Sequence, residues 1–185
     1  MNDLELAVAI AEGAGRLLLD LRHGGLFTGK ALGQAGDRVA NAFIIEALAA
    51  QRSGDAILSE EEKDNPARLA AERVWVVDPL DGTREYSEAR ADWAVHVALS
   101  IAGAPVLGAV ALPGLDLVLS SAPGFALPPA AARPRMLVSR TRPAAEALRV
   151  AEALGAELVP MGSAGAKAGA VLRGEAEIYL HSGGQ

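Results

Sequence analysis

Val74-Trp75-Val76-Val77-Asp78-Pro79-Leu80-Asp81-Gly82-Thr83 is the stretch on which the reading of this chain turns. Four β-favouring apolar residues run straight into a carboxylate, which marks a buried strand whose end opens on a ligand site, as in layered α/β folds. Pro79 fixes φ and Gly82 permits a tight backbone, so Asp78 and Asp81 can converge on one point. Two carboxylates that close repel unless a cation lies between them, and hard oxygen donors suit Mg²⁺. The N–H groups of Gly82 and Thr83 would face the same point, as at an anion-binding turn or helix start. Metal on one side and N–H donors on the other describe a site for a phosphate group. An isolated Asp-Gly is only a turn signal; the whole string after a Val-Trp-Val-Val strand is more than that.

Upstream, Ala56-Ile57-Leu58 is a second short β-rich run, and it ends in Glu60-Glu61-Glu62. Two adjacent strands would bring Glu60 and Asp78 to one sheet edge; the competing reading is a solvated acidic loop. Residues 3–22 place Leu4, Val8, Ala11, Gly15 and Leu18 at helical spacing. The Gly-rich segment from Gly24 to Gly36 reads as irregular. A second helix follows it, with Val39, Phe43, Ala47 and Leu48 on one face and Arg52-Ser53-Gly54 at its end. Asp37 stands where that helix begins, so an N-cap and a site role explain it equally well. Downstream, strands over 93–101 and 106–112 flank a turn at Ala102-Gly103-Ala104-Pro105, and a third strand spans 115–120. His96 falls inside the first of these strands and reads as a packed core residue.

The Pro-rich stretch 122–135 reads as a linker. It divides the chain into an N-terminal α+β metal-binding domain, 1–130, and a partial C-terminal α/β domain, 131–185. In the second, strand 136–139, helix 143–154, strand 156–159, helix 163–173 and strand 176–180 alternate, which predicts a partly parallel sheet. No closing helix follows His181-Ser182-Gly183-Gly184-Gln185. Within Gly162-Ser163-Ala164-Gly165-Ala166-Lys167, Ser163 can cap a helix whose N–H groups meet an anion, and Lys167 lies four residues on along the same face. Close packing of an Ala/Gly helix is the alternative. Lys167 is one of only three lysines, which favours a function for it.

Composition narrows the classes further. With 185 residues, 51% hydrophobic and 22% charged, the chain carries enough apolar material for a sizeable core and is not disordered. Aromatics make up only 4%, so Ala, Leu and Val must build that core. A net charge of −6 without a long Lys/Arg cluster argues against nucleic acid as a partner. The absence of Cys excludes disulfides and a thiolate nucleophile and agrees with a cytoplasmic location. No apolar stretch reaches the ~18 residues of a membrane span, so no membrane association is expected. A phosphatase of the haloacid-dehalogenase type needs its two aspartates two residues apart, and that position is Leu80.

Asp78-Pro79-Leu80-Asp81-Gly82-Thr83-Arg84-Glu85-Tyr86 closely resembles the first signature of the inositol monophosphatase superfamily, the Mg²⁺-dependent, lithium-sensitive phosphatases. Leu58-Ser59-Glu60-Glu61 is similar to that family's upstream glutamate motif. Ser59 in place of the commoner Gly, the run Asp92-Trp93-Ala94-Val95-His96-Val97-Ala98-Leu99 and the Gly-Ser-Ala-Gly-Ala-Lys helix resemble the 3′(2′),5′-bisphosphate nucleotidases, the CysQ group. The resemblance implies an α/β fold, a layered αβαβα sandwich whose C-terminal part is incomplete here. It implies Mg²⁺, two or three ions per site, on Glu60, Asp78, Asp81 and the Leu80 carbonyl. It pairs Asp37 with Thr83 to polarise the attacking water, puts phosphate oxygens on the N–H groups of Gly82 and Thr83, and lines the substrate pocket with Ser163, Lys167 and His181. The expected activity is hydrolysis of a small phosphomonoester such as the 3′-phosphate of 3′-phosphoadenosine 5′-phosphate. Inositol or fructose 1,6-bisphosphate hydrolysis, or an inactive phosphate-binding remnant, are the alternatives, and a homodimer is left open. The family's second signature, Trp-Asp followed by small residues, falls a few positions past Gln185. Its Asp is the third carboxylate of the metal site, so weak binding of a second metal and poor turnover are the expectation for residues 1–185 by themselves.

Overall fold

The computed structural model describes residues 1–123 and 126–181. They fall into two compact units, Met1–Pro123 and Gly124–Gln185. The division lies inside the Pro-rich stretch; the sequence expectation drew its line at 130/131.

The first unit opens with helices α1 (Asp3–His23) and α2 (Gly29–Gln51). Strands β1 (Ala56–Ser59) and β2 (Arg73–Asp81) follow, then the short helix α3 (Thr83–Ser87) and strands β3 (Ala94–Ile101), β4 (Ala104–Leu112) and β5 (Leu117–Ser120). The five strands form one sheet in the order β1-β2-β3-β4-β5; β1 runs parallel to β2 and the rest are antiparallel. α1 starts with a capping box between Asn2 and Glu5 and buries Leu6, Ile10, Ala14 and Leu18. These side chains share a core with Ile44 and Leu48 of α2 and with Trp75, Val77, Val95, Val97 and Leu99 of the sheet. The sheet residues are alternate ones, as the two-residue period of a strand requires. The β3–β4 connection is tighter than its sequence suggests: only Ala102 and Gly103 turn, both with positive φ, and Ala104 and Pro105 already belong to β4.

α2 is where the sequence expectation fails. Its first turns cover the segment read as irregular, and its buried face is Leu32, Gly36, Ala40, Ile44 and Leu48; of the expected face Leu48 is buried, Phe43 and Ala47 pack at the edge of the core, and Val39 is exposed. The glycines that suggested a loop are instead contact points. A Cβ on Gly33 would lie 2.7 Å from Ser87 Oγ and 2.8 Å from Thr83 Cγ2; one on Gly36 would lie 2.9 Å from Tyr86 Cε1 and 3.0 Å from Leu80 Cδ2. Helix propensity is sacrificed so that α2 can press against the end of β2 and against α3. Tyr86 cannot yield. Its ring is fully buried, its hydroxyl donates to Leu18 O at 2.7 Å, and the Arg22 guanidinium lies 5.5 Å from both the Tyr86 and Trp93 ring centres.

At the opposite end of β2, Arg73 donates to both Asp55 and Asp3, Asp3 also accepts from Arg52, and the Trp75 indole donates to Asp55 at 2.8 Å. This network joins the starts of α1 and β2 to the residues that follow α2 and precede β1.

The second unit contains β6 (Arg135–Ser139), α4 (Ala145–Leu154), β7 (Glu157–Met161), α5 (Ala164–Leu172) and β8 (Ile178–Tyr179). Its three strands are all parallel, in the order β7-β6-β8. Met136 and Val138 pack with α4, and Leu137 between them packs with Ala170 of α5, so the two helices cover opposite faces of the central strand. The expected absence of a closing helix concerns residues 182–185, which lie outside the described residues.

Gly36→Ala is expected to lower the thermal midpoint by an amount corresponding to about 1–3 kcal/mol, the usual cost of overpacking. Gly54→Ala, whose added Cβ meets nothing within 4 Å, should leave the midpoint unchanged. Differential scanning calorimetry of both variants checks this.

Candidate metal and phosphate site

Asp78 and Asp81 are three residues apart, a spacing that puts side chains on opposite faces of a regular strand. A bulge corrects this. Asp78 pairs with His96 and Asp81 with Ala94, so the chain takes three steps along β2 against two along β3. The extra residue returns Asp81 to the face that carries Asp78 and His96. Asp78 Oδ1 accepts from Leu80 N at 3.2 Å, which holds the bulge closed. The outcome is a cluster in which one ligand atom from each of Asp78, Asp81 and His96 lies within 4.8 Å of the others. His96 Nε2 is 3.0 Å from Asp81 Oδ2. The sequence reading of His96 as a core residue is therefore corrected: Val95 and Val97 point into the core, and His96 between them points the other way. That alternation was the signal available in the sequence.

The neighbouring strand adds to the cluster. Ser59 pairs with Val77 in the parallel β1–β2 ladder, and Glu60 N donates to Val77 O at 3.2 Å. Glu60 is exposed, yet its carboxylate reaches Asp78 closely enough to raise the latter's pKa. The adjacent-strand expectation for Glu60 matches this placement. Asp37 is not an N-cap, since α2 starts after Thr28 and Asp37 lies well inside the helix. Thr83 Oγ1 is 3.3 Å from Asp37 Oδ1 and 3.2 Å from Leu80 O, so its one proton has two acceptors. Gly82 has φ 90° and precedes α3, the left-handed conformation that glycine adopts most easily.

Charge crowding dominates the electrostatics. Burial, then Asp81 and Glu60, push Asp78 up to about 7. Burial and the Glu61 carboxylate push Asp37 up to about 6, against the Thr83 hydrogen bond. Burial would lower the His96 pKa, but the bond to Asp81 and three nearby carboxylates outweigh it, and the net shift is upward. Carboxylate oxygens held this close, and reluctant to ionise together, fit a hard divalent cation that would neutralise them.

In the second unit, Ser163 Oγ accepts from Ala166 N at 3.0 Å and caps α5. Lys167 is buried; its ammonium donates to the carbonyls of Gly162 and Ser163 and lies 5.2 Å from the Tyr179 ring centre. The Tyr179 hydroxyl is 3.2 Å from Nδ1 of the exposed His181. Ser163, Lys167 and His181 thus belong to one chain of contacts. Tyr179 links it, and no motif in the sequence marked that residue.

Asp37, Asp78 and His96 are all held above their ordinary values. Each therefore contributes stability at low pH that is lost as pH rises through its raised pKa. Glu177, held near 2 by its bonds with Arg135, and Asp3, lowered by Arg52 and Arg73, stay ionised above pH 5 and add no slope. In EDTA the thermal midpoint is expected to fall between pH 5 and 8, and saturating divalent metal should flatten or reverse that slope. Calorimetric scans across this range, with and without metal, check it.

The comparisons with known proteins identify the family. The inositol monophosphatase family profile matches residues 4–126. The chain is 45% identical over 203 aligned positions to the 3'-phosphoadenosine 5'-phosphate phosphatase of Mycobacterium leprae, covering 100% of this chain and 74% of that protein. It is 30% identical to the 3'(2'),5'-bisphosphate nucleotidase CysQ of Escherichia coli, over 80% of this chain and 65% of that one. Among solved structures, inositol monophosphatase II of Staphylococcus aureus superposes with a TM-score of 0.79 at 20% identity, over 94% of this chain and 72% of that chain. CysQ of Bacteroides thetaiotaomicron gives 0.74 at 22%, over 96% and 78%. The mixed α/β fold is the one these structures share, and the family is one of metal-dependent phosphatases. By its fold, by the match over most of its first unit and by the identity to its relatives, this chain belongs to the inositol monophosphatase family.

Proposed function

We propose that this protein is a Mg²⁺-dependent phosphomonoesterase that removes the 3′-phosphate of 3′-phosphoadenosine 5′-phosphate, a free small molecule of the cytoplasm. The observation that carries the reaction class is the meeting of Asp78, Asp81 and His96 beside the Thr83–Asp37 pair at the end of β2. The nucleotide is favoured over inositol or sugar phosphates by the 45% identity to a mycobacterial phosphatase named for that compound.

Glu60, Asp78, Asp81 and the Leu80 carbonyl would hold the metal. Bound Mg²⁺ supplies charge neutralisation at the phosphate and makes a bound water more acidic. His96 holds the Asp81 carboxylate in place through the Nε2–Oδ2 contact. Asp37 accepts a hydrogen bond from the Thr83 hydroxyl, which leaves a lone pair on the threonine oxygen to accept a hydrogen bond from, and so orient, the attacking water. The amides of Gly82 and Thr83 donate to the phosphate oxygens where negative charge accumulates. For the second unit, the family resemblance supports Ser163, Lys167 and His181 as substrate-binding residues, with the buried Lys167 ammonium holding the Gly162 and Ser163 carbonyls at the start of α5.

Three measurements test this reading. In the presence of Mg²⁺, kcat/KM for phosphate release from 3′-phosphoadenosine 5′-phosphate should exceed that from inositol monophosphate and fructose 1,6-bisphosphate by about tenfold or more. The reverse order would reassign the substrate. Asp81→Asn should retain the fold by circular dichroism and lose about 100-fold or more in kcat; near-normal turnover at saturating Mg²⁺ would sink the assignment. Thr83→Ala should lower kcat far more than it weakens metal binding, and an equal loss in both would make the residue structural.

A further inference from the structure

We infer that Asn41 and Ser59 act as a positioning pair that holds the acidic turn 59–62 in register, so that Glu60 faces Asp78. Both side chains are buried, Asn41 at 7% and Ser59 at 4% exposure, beside a core built from apolar residues. Burying two polar groups is unfavourable unless both are satisfied, and here each is. Ser59 Oγ donates to Asn41 Oδ1 at 2.7 Å, and Asn41 Nδ2 donates to Glu62 Oε1 at 2.7 Å. The Ser59 oxygen in turn accepts from Glu61 N at 3.3 Å, and Glu62 N donates to Ser59 O at 3.4 Å. One amide side chain of α2 therefore grips the turn at both ends.

The strand period makes this grip matter. Ser59 pairs with Val77 and shares its core-facing side, so the next residue, Glu60, must face the side that carries Asp78. A slip by one residue would exchange Ser59 and Glu60 and put a carboxylate into the core. Of the three consecutive glutamates, Glu62 is taken by Asn41, and Glu60 and Glu61 are left to act on Asp78 and Asp37. Asn41 also follows Asp37 by one helical turn, so the helix that carries the Thr83 partner is the helix that fixes the glutamate. Neither Asn41 nor Ser59 touches substrate or metal in this account; both act through Glu60.

The inference rests on Glu60, Asp78 and Asp81 forming a metal site, and the experiment separates the two. Mg²⁺ affinity of the unaltered protein is measured by titration calorimetry, together with Asn41→Ala, Ser59→Ala and the double variant. Thermal midpoints in EDTA and kcat and KM at saturating Mg²⁺ are measured alongside. Each single variant is expected to weaken Mg²⁺ binding about tenfold, to recover most of its kcat at saturating Mg²⁺, and to change KM little. The double variant should be no weaker than the worse single one, because the two residues form one unit. Asn41→Gln, which keeps the amide but shifts it by a methylene, should not restore the affinity. Mg²⁺ affinity within twofold of the unaltered protein in Ser59→Ala and Asn41→Ala, whatever their midpoints, would overturn the inference. If Asn41→Ala does not fold, Ser59→Ala decides. Failure of the unaltered protein to bind Mg²⁺ would instead overturn the metal-site reading beneath it.

Discussion

One extra residue in one strand governs the site. Asp78 and Asp81 share a face only because β2 bulges at Pro79 and Leu80, and every other element of the cluster is arranged around that irregularity. The bulge brings carboxylates together where they repel, and burial makes the repulsion stronger. Such an arrangement persists only if the surrounding packing over-determines it. Leu80 itself is part of that packing: its side chain is 3% exposed within the core shared by α1, α2 and the sheet, while its carbonyl meets the Thr83 hydroxyl.

The second constraint is the closeness of α2. Gly33 and Gly36 let this helix approach β2 and α3 to a distance that no side chain there would allow. Asp37 reaches Thr83, and Asn41 reaches the acidic turn, from a helix held at that distance. The glycines, though remote from any chemistry, thus set the reach of two polar side chains. Arg22, over the rings of Tyr86 and Trp93, fixes α3 from the other side.

Much of this was legible in the sequence, for reasons that differ by element. The strand that ends in Asp78-Pro79-Leu80-Asp81-Gly82-Thr83 was readable because β-branched patterning and turn chemistry agree there. Glu60 was readable from the parallel logic of two strands that both end in carboxylates. The start of α2 was not, because glycines that serve a tertiary close approach look the same as glycines that break a helix. The role of His96 was obscured because a histidine inside an apolar strand reads as a packed core residue, although strict alternation between Val95 and Val97 turned it outward. Tyr179 and Asn41 were invisible for another reason. Their partners lie far along the chain or in a different element, and only the folded geometry brings them together.

The two ends of β2 carry opposite electrostatics. At Arg73, cations and carboxylates alternate through Asp3, Arg52 and Asp55, and the Trp75 indole closes the set. At Asp78 and Asp81, carboxylates crowd with one imidazole beside Asp81. A single strand therefore joins a clamp to a spring. Without cation, carboxylate repulsion lowers the cost of local opening at the Asp78–Asp81 end relative to the buried middle of the strand at Trp75 and Val77, so amide exchange should be graded along one continuous hydrogen-bonded ladder. The end that is easiest to open is also the end where a ligand can contribute most, which couples occupancy of the site to the rigidity of the whole sheet.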